Sequence, residues 1–160
     1  MKAQTRLIAA AGGLIAAVVL VLPASAHHSF AMYDMRSTRV FTGVVTGIDP
    51  APNHLSINFA PMTEDRSGVV RDENDEPVIW SVEMGGSAAM ARQGVSVNSF
   101  PRGTYFSVGL HPLRNGEPGG SREGAMFKCP EGVRPEAGKH CDSVEGHIVI
   151  GMGTLPEESE

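Results

Sequence analysis

The sequence predicts a mostly β fold: a small antiparallel barrel of five to six strands, OB-like, with one short helix between strands 3 and 4. Three observations indicate it. Short segments rich in β-branched residues alternate polar with apolar positions. The first of these segments is long and carries internal glycines, as a strand that bends round a barrel does. A short helical segment follows the third strand, where an OB-type barrel has its helix. A small β-sandwich or a cupredoxin-like barrel is the competing interpretation.

The first two strands are predicted over residues 38–48 and 54–59. Gly43 and Gly47 interrupt the first strand and indicate a sharp bend or a bulge. A proline-rich turn, residues 49–53, separates the two strands. The second strand alternates strictly, so both of its faces can be assigned. The apolar face carries Leu55, Ile57 and Phe59, and the polar face carries His54, Ser56 and Asn58.

A long polar and acidic segment, residues 60–77, is interpreted as a mobile hairpin loop. A calcium site at residues 72–76 is an alternative, but this acidic run lacks the spacing of a known calcium loop. The third strand, residues 78–84, points Trp80 and its alternate neighbours into the core. A short helix is predicted next, over residues 88–93.

Ser87 is the predicted N-cap of that helix, and Gly94 is placed to end it. The fourth strand is predicted over residues 104–111. Its buried face carries Phe106, Val108 and Leu110. Residues 122–128 and 147–152 complete the strands.

Residues 1–26 have the pattern of a secretory signal peptide. Lys2 and Arg6 form a basic start, an uncharged run of 16 residues follows, and small residues precede the predicted cut. An uncleaved anchor is the alternative. Cleavage leaves a single β-barrel domain, residues 27–154, and an acidic tail, residues 155–160, that we expect to be disordered. The mature protein is therefore expected in the periplasm, without a membrane span.

The charge of the chain argues against nucleic acid as a partner. The whole chain has 13 Lys and Arg against 18 Asp and Glu, a net charge of −5. Removing the first 26 residues, which hold two cations, leaves 134 residues and a net charge of −7. Nucleic-acid binding needs clustered cations, and no basic run is present. The partners that remain are a periplasmic protein or a small ligand.

Cys129 and Cys141 both belong to the mature chain, and export would expose them to an oxidising compartment. We predict a disulfide that closes a loop of 13 residues rich in Pro and Gly. A metal site that combines Cys141 with His140 is one alternative, but it lacks further ligands. A CxxC-like redox pair is another, but the spacing is wrong for it.

Six histidines lie in the mature chain, and their placement suggests a copper site. Cleavage makes His27 the N-terminal residue, so its α-amine and ring can chelate one ion, with His28 beside it. Nitrogen ligands of this kind suit Cu(II), while the thioethers of Met32 and Met35 suit Cu(I). A flexible, solvated chain start without a metal is the alternative.

Topology constrains the rest of this site. In an OB-type barrel the fourth strand ends near the start of the first, so His111 should lie close to the segment of residues 27–37. His54 should lie near the far end of the first strand and join the site only if that segment folds back across the barrel. His27, His28 and His111 are therefore the leading set of ligands, and His54 is the fourth candidate.

No catalytic motif is present. The sequence contains no nucleophile elbow, zinc-protease motif, phosphate loop or dinucleotide fingerprint. Nothing in the spacing supports Glu83 and His111 as an acid–base pair. We therefore expect a protein that is not an enzyme.

Five short motifs, taken in order, resemble a known family. They are the start at residues 27–34, Thr42-Gly43-Val44, Pro52-Asn53-His54, Trp80-Ser81-Val82-Glu83 and the run from His111 to Gly116. The chain thereby resembles an exported bacterial family, domain-of-unknown-function family 6152, whose small periplasmic members have a mature His-His-Ser-Phe start. The resemblance implies export and overall shape, and the family's pattern falls on His27, His28, His54 and His111. Two departures are a reshaped turn before His54 and an apparent insertion at residues 129–141.

These observations support two hypotheses. The first is a small periplasmic β-barrel that binds copper through its processed N-terminus, as a carrier or accessory factor. The second is a periplasmic module that binds a protein partner or small ligand without a metal.

Overall fold

The computed structural model describes residues 30–159 of the chain. The strands are β1 (Arg39–Pro50), β2 (His54–Pro61), β3 (Trp80–Gly85), β4 (Tyr105–Pro112), β5 (Gly119–Lys128) and β6 (Ile148–Ile150). One short helix, α1 (Ser87–Ala91), lies between β3 and β4. Single turns of 3-10 helix occur at Phe30–Met32 and Cys141–Ser143.

Five strands form a closed barrel. Along the sheet the order is β3-β2-β1-β4-β5 with antiparallel neighbours, and a parallel pairing of β3 with β5 closes the ring. β6 pairs antiparallel with the end of β5. This single closed ring of strands confirms the predicted OB-like barrel. A sandwich would have two separate sheets instead.

β1 bends and pairs with two different strands along its length. Its first half pairs with β4 and its second half with β2, and Gly43 and Val44 take part in both pairings. The register shifts between Val45 and Gly47, as the internal glycines predicted. A Cβ at Gly43 would lie 2.5 Å from the ring of Phe59, so the bend also needs glycine for packing.

The core lies inside the barrel, on the faces that the alternation predicted. Its largest fully buried side chains include Phe59, Phe100, Phe106, Leu55, Ile57, Met90 and Leu110. Phe41 and Trp80 pack against this core from its edge, with ring centroids 4.6 Å apart. The guanidinium of Arg39 covers the Trp80 ring at 4.9 Å. Trp80 is half-buried, so it contacts the predicted core from its edge and is not fully enclosed by it.

α1 differs from its predicted capping. Its N-cap residue is Gly86, without a side-chain capping bond, and Ser87 is already the first helical residue. The Ser87 hydroxyl instead donates to the carbonyl of Ala51 at 2.8 Å. Gly86 packs directly on the carbonyl of Pro52, which brings Ser87 within reach of the β1–β2 turn. Gly94 has φ +80° just beyond the helix, as expected for the residue that ends it.

The segment between Cys129 and Cys141, here called the cysteine loop, packs on β4 and β5. The two sulfur atoms lie 2.01 Å apart, the distance of a disulfide bond. Both cysteines are buried with Ala125 and Phe127 in a second apolar cluster. The backbone N–H of Cys141 donates to the buried hydroxyl of Ser107 at 2.8 Å, which ties the loop to β4.

The long loop after β2 is held against the cysteine loop. Arg66 donates from Nε and Nη2 to the carbonyl of Lys139, at 3.0 and 2.7 Å. In return, Arg134 donates from Nη1 to the carbonyl of Arg66 at 3.2 Å. The backbone N–H of Gly138 donates to the carbonyl of Glu64 at 2.9 Å. The two loops therefore form one layer on the barrel surface.

The C-terminal residues cross the outside of the barrel. Ser159 and Thr38 exchange two backbone hydrogen bonds of 3.0 Å. The ring of Pro156 lies against Gly109 of β4. The expected disorder of residues 155–160 stays a prediction.

The predicted signal peptide, residues 1–26, lies outside the described residues, as do His27 and His28. Within residues 30–159, no helix has the length and apolar character needed to cross a membrane.

Candidate functional site

A cavity of about 280 Å³ lies where β3 and β5 separate. Their parallel pairing ends at Glu83 and Ser121, and the start of β2 flanks the gap on the side of β3. The lining residues are Phe30, Tyr33, His54, Glu83, Met84, Gly85, Ser121 and Arg122. The lining of the cavity therefore includes a histidine, a glutamate, a tyrosine and an arginine.

His54 and Glu83 form the closest ionisable pair in this cavity. His54 Nδ1 lies 2.9 Å from Glu83 Oε1, and each side chain is about one-third exposed, at 35% and 33%. The pair arises from the β2–β3 register, which puts Ser56 opposite Glu83 and His54 one step further along the same face. An ionised carboxylate can only accept, so the neutral ring carries its proton on Nδ1 and its lone pair on Nε2.

Tyr33 covers the carboxylate of Glu83. It is 5% exposed and lines the cavity together with Glu83. Burial, followed by the nearby charge of Glu83, raises the pKa of Tyr33 to about 12. Tyr33 therefore stays protonated at neutral pH.

Tyr33 belongs to the leading segment, residues 30–37, which docks beside the end of β4. The Arg114 backbone donates to the carbonyl of Met32 at 3.0 Å, and Arg114 Nε donates to the carbonyl of Tyr33 at 3.0 Å. The Asp34 backbone donates to the carbonyl of Pro112 at 2.8 Å. This docking carries Phe30, which is 67% exposed, to the mouth of the cavity.

His111 lies under the other end of the leading segment. Its Nδ1 is 2.9 Å from the carbonyl of Ser37 and 3.7 Å from Glu123 Oε2, and its side chain is 13% exposed. The nearness of His111 to the incoming chain agrees with the topological expectation. In this position the ring supports the segment at Ser37 and is mostly closed to solvent.

The structure does not bring His54 and His111 together. His54 begins β2 and His111 lies near the end of β4; in the closed ring β1 separates these strands on one side, and β3 and β5 separate them on the other. The leading segment, however, does fold back across the barrel to His54, which is the condition set for His54 to join the site. Among residues 30–159, no three His, Cys, Asp or Glu side chains cluster closely enough for a metal. The roles of His27 and His28 stay predictions.

His140, the alternative ligand beside the cysteines, takes part in a different network. Its Nδ1 lies 2.9 Å from the hydroxyl of Thr42, which is 2.7 Å from the hydroxyl of Ser107. Burial, and then the positive charge of Arg66, lower the pKa of His140. With both sulfur atoms bonded to each other, neither is available as a thiolate, so these residues hold the cysteine loop on the barrel.

Sequence reasoning gave no binding role to the acidic and the basic residue that line the cavity, Glu83 and Arg122. Glu83 was considered with His111, but its partner is His54, because the β2–β3 register sets that pairing. Arg122 was assigned to a strand without any role, yet it lines the cavity. Glu83 belongs to the motif Trp80-Ser81-Val82-Glu83, but no local pattern pairs it with His54 or places Arg122 beside the cavity, because both depend on how the strands meet.

Comparison with known proteins gives a family but no activity. The sequence model described as Family of unknown function (DUF6152) matches residues 15–122. Every residue that lines the cavity lies within the matched part, whereas the cysteine loop and β6 lie beyond it. No curated protein and no solved structure matches the chain.

Proposed function

Because the chain belongs to the family of unknown function (DUF6152) and folds as a small β-barrel, we propose a function from its cavity: an exported periplasmic protein that binds copper. The proposed ligands are the N-terminal amine and ring of His27, with His28, and the ring of His54. The protein acts as a copper carrier or accessory factor and not as an enzyme.

One observation carries this proposal: Phe30 and Tyr33 line the same cavity as His54 and Glu83. His28 precedes Phe30 by two residues, and two residues span at most about 7 Å. This short connection would allow the proposed N-terminal ligands to reach His54. His111, which holds Ser37, positions the segment in this proposal and is not a copper ligand.

The chemistry of the donors suits copper. With Nδ1 donating to Glu83, His54 would use Nε2 toward a metal, and a carboxylate behind the ring is a common arrangement of metal-binding histidines. An amine and imidazoles favour Cu(II). Met32 and Met35 are 43% and 44% exposed on the leading segment and offer thioethers for Cu(I).

The test is a copper titration of protein that begins at His27, in competition with a chelator of known affinity. His54→Gln should weaken Cu(II) binding at least tenfold, because it removes a ligand. Glu83→Gln should weaken it by about 10- to 100-fold, because the ring loses the carboxylate that orients it.

Two further variants serve as controls. His147→Gln changes a histidine that contacts Val144 and Phe127 away from the cavity, and it should leave copper binding unchanged. His111→Gln should also bind copper with the same stoichiometry. Loss of copper binding in His111→Gln, with His54→Gln unaffected, would overturn the choice of His54.

A further inference from the structure

The base of the leading segment is fixed by buried groups. His111 Nδ1 lies 2.9 Å from the carbonyl of Ser37. The next residue, Thr38, is 6% exposed and exchanges two backbone hydrogen bonds with Ser159. The Thr38 hydroxyl also donates to Glu123 at 2.6 Å. These contacts fix the point where the chain enters β1.

The outer half of the leading segment is held mainly by Arg114, which follows β4. Arg114 Nε donates to the carbonyl of Tyr33 at 3.0 Å, and its Nη2 lies 4.0 Å from Asp34 Oδ1. The backbone N–H of Arg114 donates to the carbonyl of Met32 at 3.0 Å. One residue therefore contacts three consecutive residues of the segment, and two of these contacts come from its side chain.

The contacts of Arg114 fall on the part of the segment that lines the cavity. Phe30 and Tyr33 line it together with His54 and Glu83. Tyr33 is 5% exposed, although Phe30, three residues before it, is 67% exposed. The Nε–H of Arg114 binds the carbonyl of this buried tyrosine, and a charged donor makes a stronger hydrogen bond than a neutral one. The side chain of Arg114 therefore stabilises the closed position of the segment.

We propose that Arg114 is a positioning residue, which holds the leading segment closed over His54 and Glu83. Where it concerns copper, this inference rests on the proposed function, because the segment connects the proposed N-terminal ligands to His54. Opening of the segment lowers the apparent affinity for Cu(II) in proportion to the fraction of closed molecules. The clamp itself can be tested without a metal.

The first measurement is hydrogen exchange in metal-free protein that begins at His27. The backbone N–H of Asp34 donates to the carbonyl of Pro112 beside the clamp, whereas the N–H of Thr38 is bonded at the base. Arg114→Gln should speed exchange at Asp34 several-fold and leave exchange at Thr38 unchanged. Unchanged exchange at Asp34, or equal acceleration at Asp34 and Thr38, would overturn the clamp.

Arg36→Gln is the matched control, because it removes the same charge beside the same carboxylate. Arg36 Nε lies 3.7 Å from Asp34 Oδ1, and the Arg36 side chain is 87% exposed. Exchange at Asp34 in Arg36→Gln should equal that of the wild type. Equal acceleration in Arg36→Gln and Arg114→Gln would overturn the role of Arg114, since charge alone would then explain the effect.

The second measurement is a double-mutant cycle in Cu(II) affinity. Arg114→Gln should weaken copper binding about three- to tenfold when His54 is present. It should have no further effect in the His54→Gln protein, because the ligand toward which the segment is held has already been removed. Equal weakening in both backgrounds would overturn the positioning role.

The two measurements separate this inference from the proposed function. A wild type that binds no copper would remove the proposed function, while faster exchange at Asp34 in Arg114→Gln would still establish the clamp. If Arg114→Gln does not fold, Arg114→Lys decides, because it keeps the positive charge and lacks the Nε–H group. Arg114→Lys should also speed exchange at Asp34, and exchange equal to that of the wild type would overturn the clamp.

Discussion

Pro156 of the C-terminal segment lies so close to Gly109 of β4 that there is no room for a side chain between them. A Cβ at Gly109 would collide with the Pro156 ring and would lie 2.7 Å from its Cδ. The same segment ends in the paired backbone hydrogen bonds of Ser159 and Thr38. The acidic C-terminal segment therefore packs on the outside of the barrel at Gly109 and Thr38.

Gly109→Ala should lower the free energy of unfolding by about 1–3 kcal/mol, because the added methyl group overpacks this contact. Urea denaturation provides the measurement. Gly68→Ala is the control, since a Cβ there meets nothing within 4 Å. Pro156→Ala removes the colliding ring atoms and should rescue Gly109→Ala. A Gly109→Ala protein as stable as Gly68→Ala would show that residues 155–160 are free of the barrel, as their composition suggested.

Replacing both Cys129 and Cys141 with alanine should lower the free energy of unfolding by about 3 kcal/mol, because the cross-link that restricts the unfolded chain is lost. Both residues are buried, at 1% and 0% exposure, so the loop also loses part of its apolar cluster. Urea denaturation with and without a reductant measures the effect. A reductant should destabilise the wild type and leave the double variant unchanged, whereas a wild type that is indifferent to reductant would contradict the disulfide.

Arg66→Gln should loosen the long loop after β2 and the cysteine loop together. Arg66 donates two hydrogen bonds to Lys139 and one to Thr63, at 3.1 Å. Hydrogen exchange should speed up in both loops, and the free energy of unfolding should fall by about 1 kcal/mol, since these bonds are partly exposed. Arg71→Gln is the control, because Arg71 bonds to Asp75 within its own loop. Faster exchange in one loop alone would contradict the coupling.

His140 should make the protein less stable in mild acid. Its folded-state pKa is lowered by burial and by Arg66, so folding favours the neutral ring. The stabilisation is complete above pH 6.5, near which the unfolded-state histidine titrates, and is lost as the pH falls toward the folded-state pKa. Urea denaturation at pH values from about 7.5 to about 5, an interval that spans the titration of a histidine, measures the effect. The free energy of unfolding should fall less over this interval in His140→Gln than in the wild type. His147→Gln should behave as wild type; an unchanged slope in His140→Gln would reject the assignment.

Much of the barrel could be predicted from the sequence because its strands alternate in burial. Leu55, Ile57 and Phe59 are buried as their spacing required, and the glycines of β1 marked its bulge. The prediction of Ser87 as the helix N-cap was wrong, because its hydroxyl donates instead to a carbonyl of the β1–β2 turn. No local sequence pattern reveals this contact.

The site was harder to predict because it depends on long-range register. Spacing along the chain could nominate His54 and His111, but it could not pair His54 with Glu83 or show that His54 and His111 lie on strands that are not neighbours. It also gave no reason to place Arg122 beside the gap between β3 and β5.

The most direct test of the account is to compare copper binding by protein that begins at His27 with the same protein carrying one extra glycine before His27. Intact mass measurements verify each N-terminus. We expect one Cu(II) per chain in the processed protein and at least a hundredfold weaker binding in the extended one, because the extra residue moves the α-amine away from the His27 ring. Equal affinity in the two proteins would contradict a copper site at the processed N-terminus.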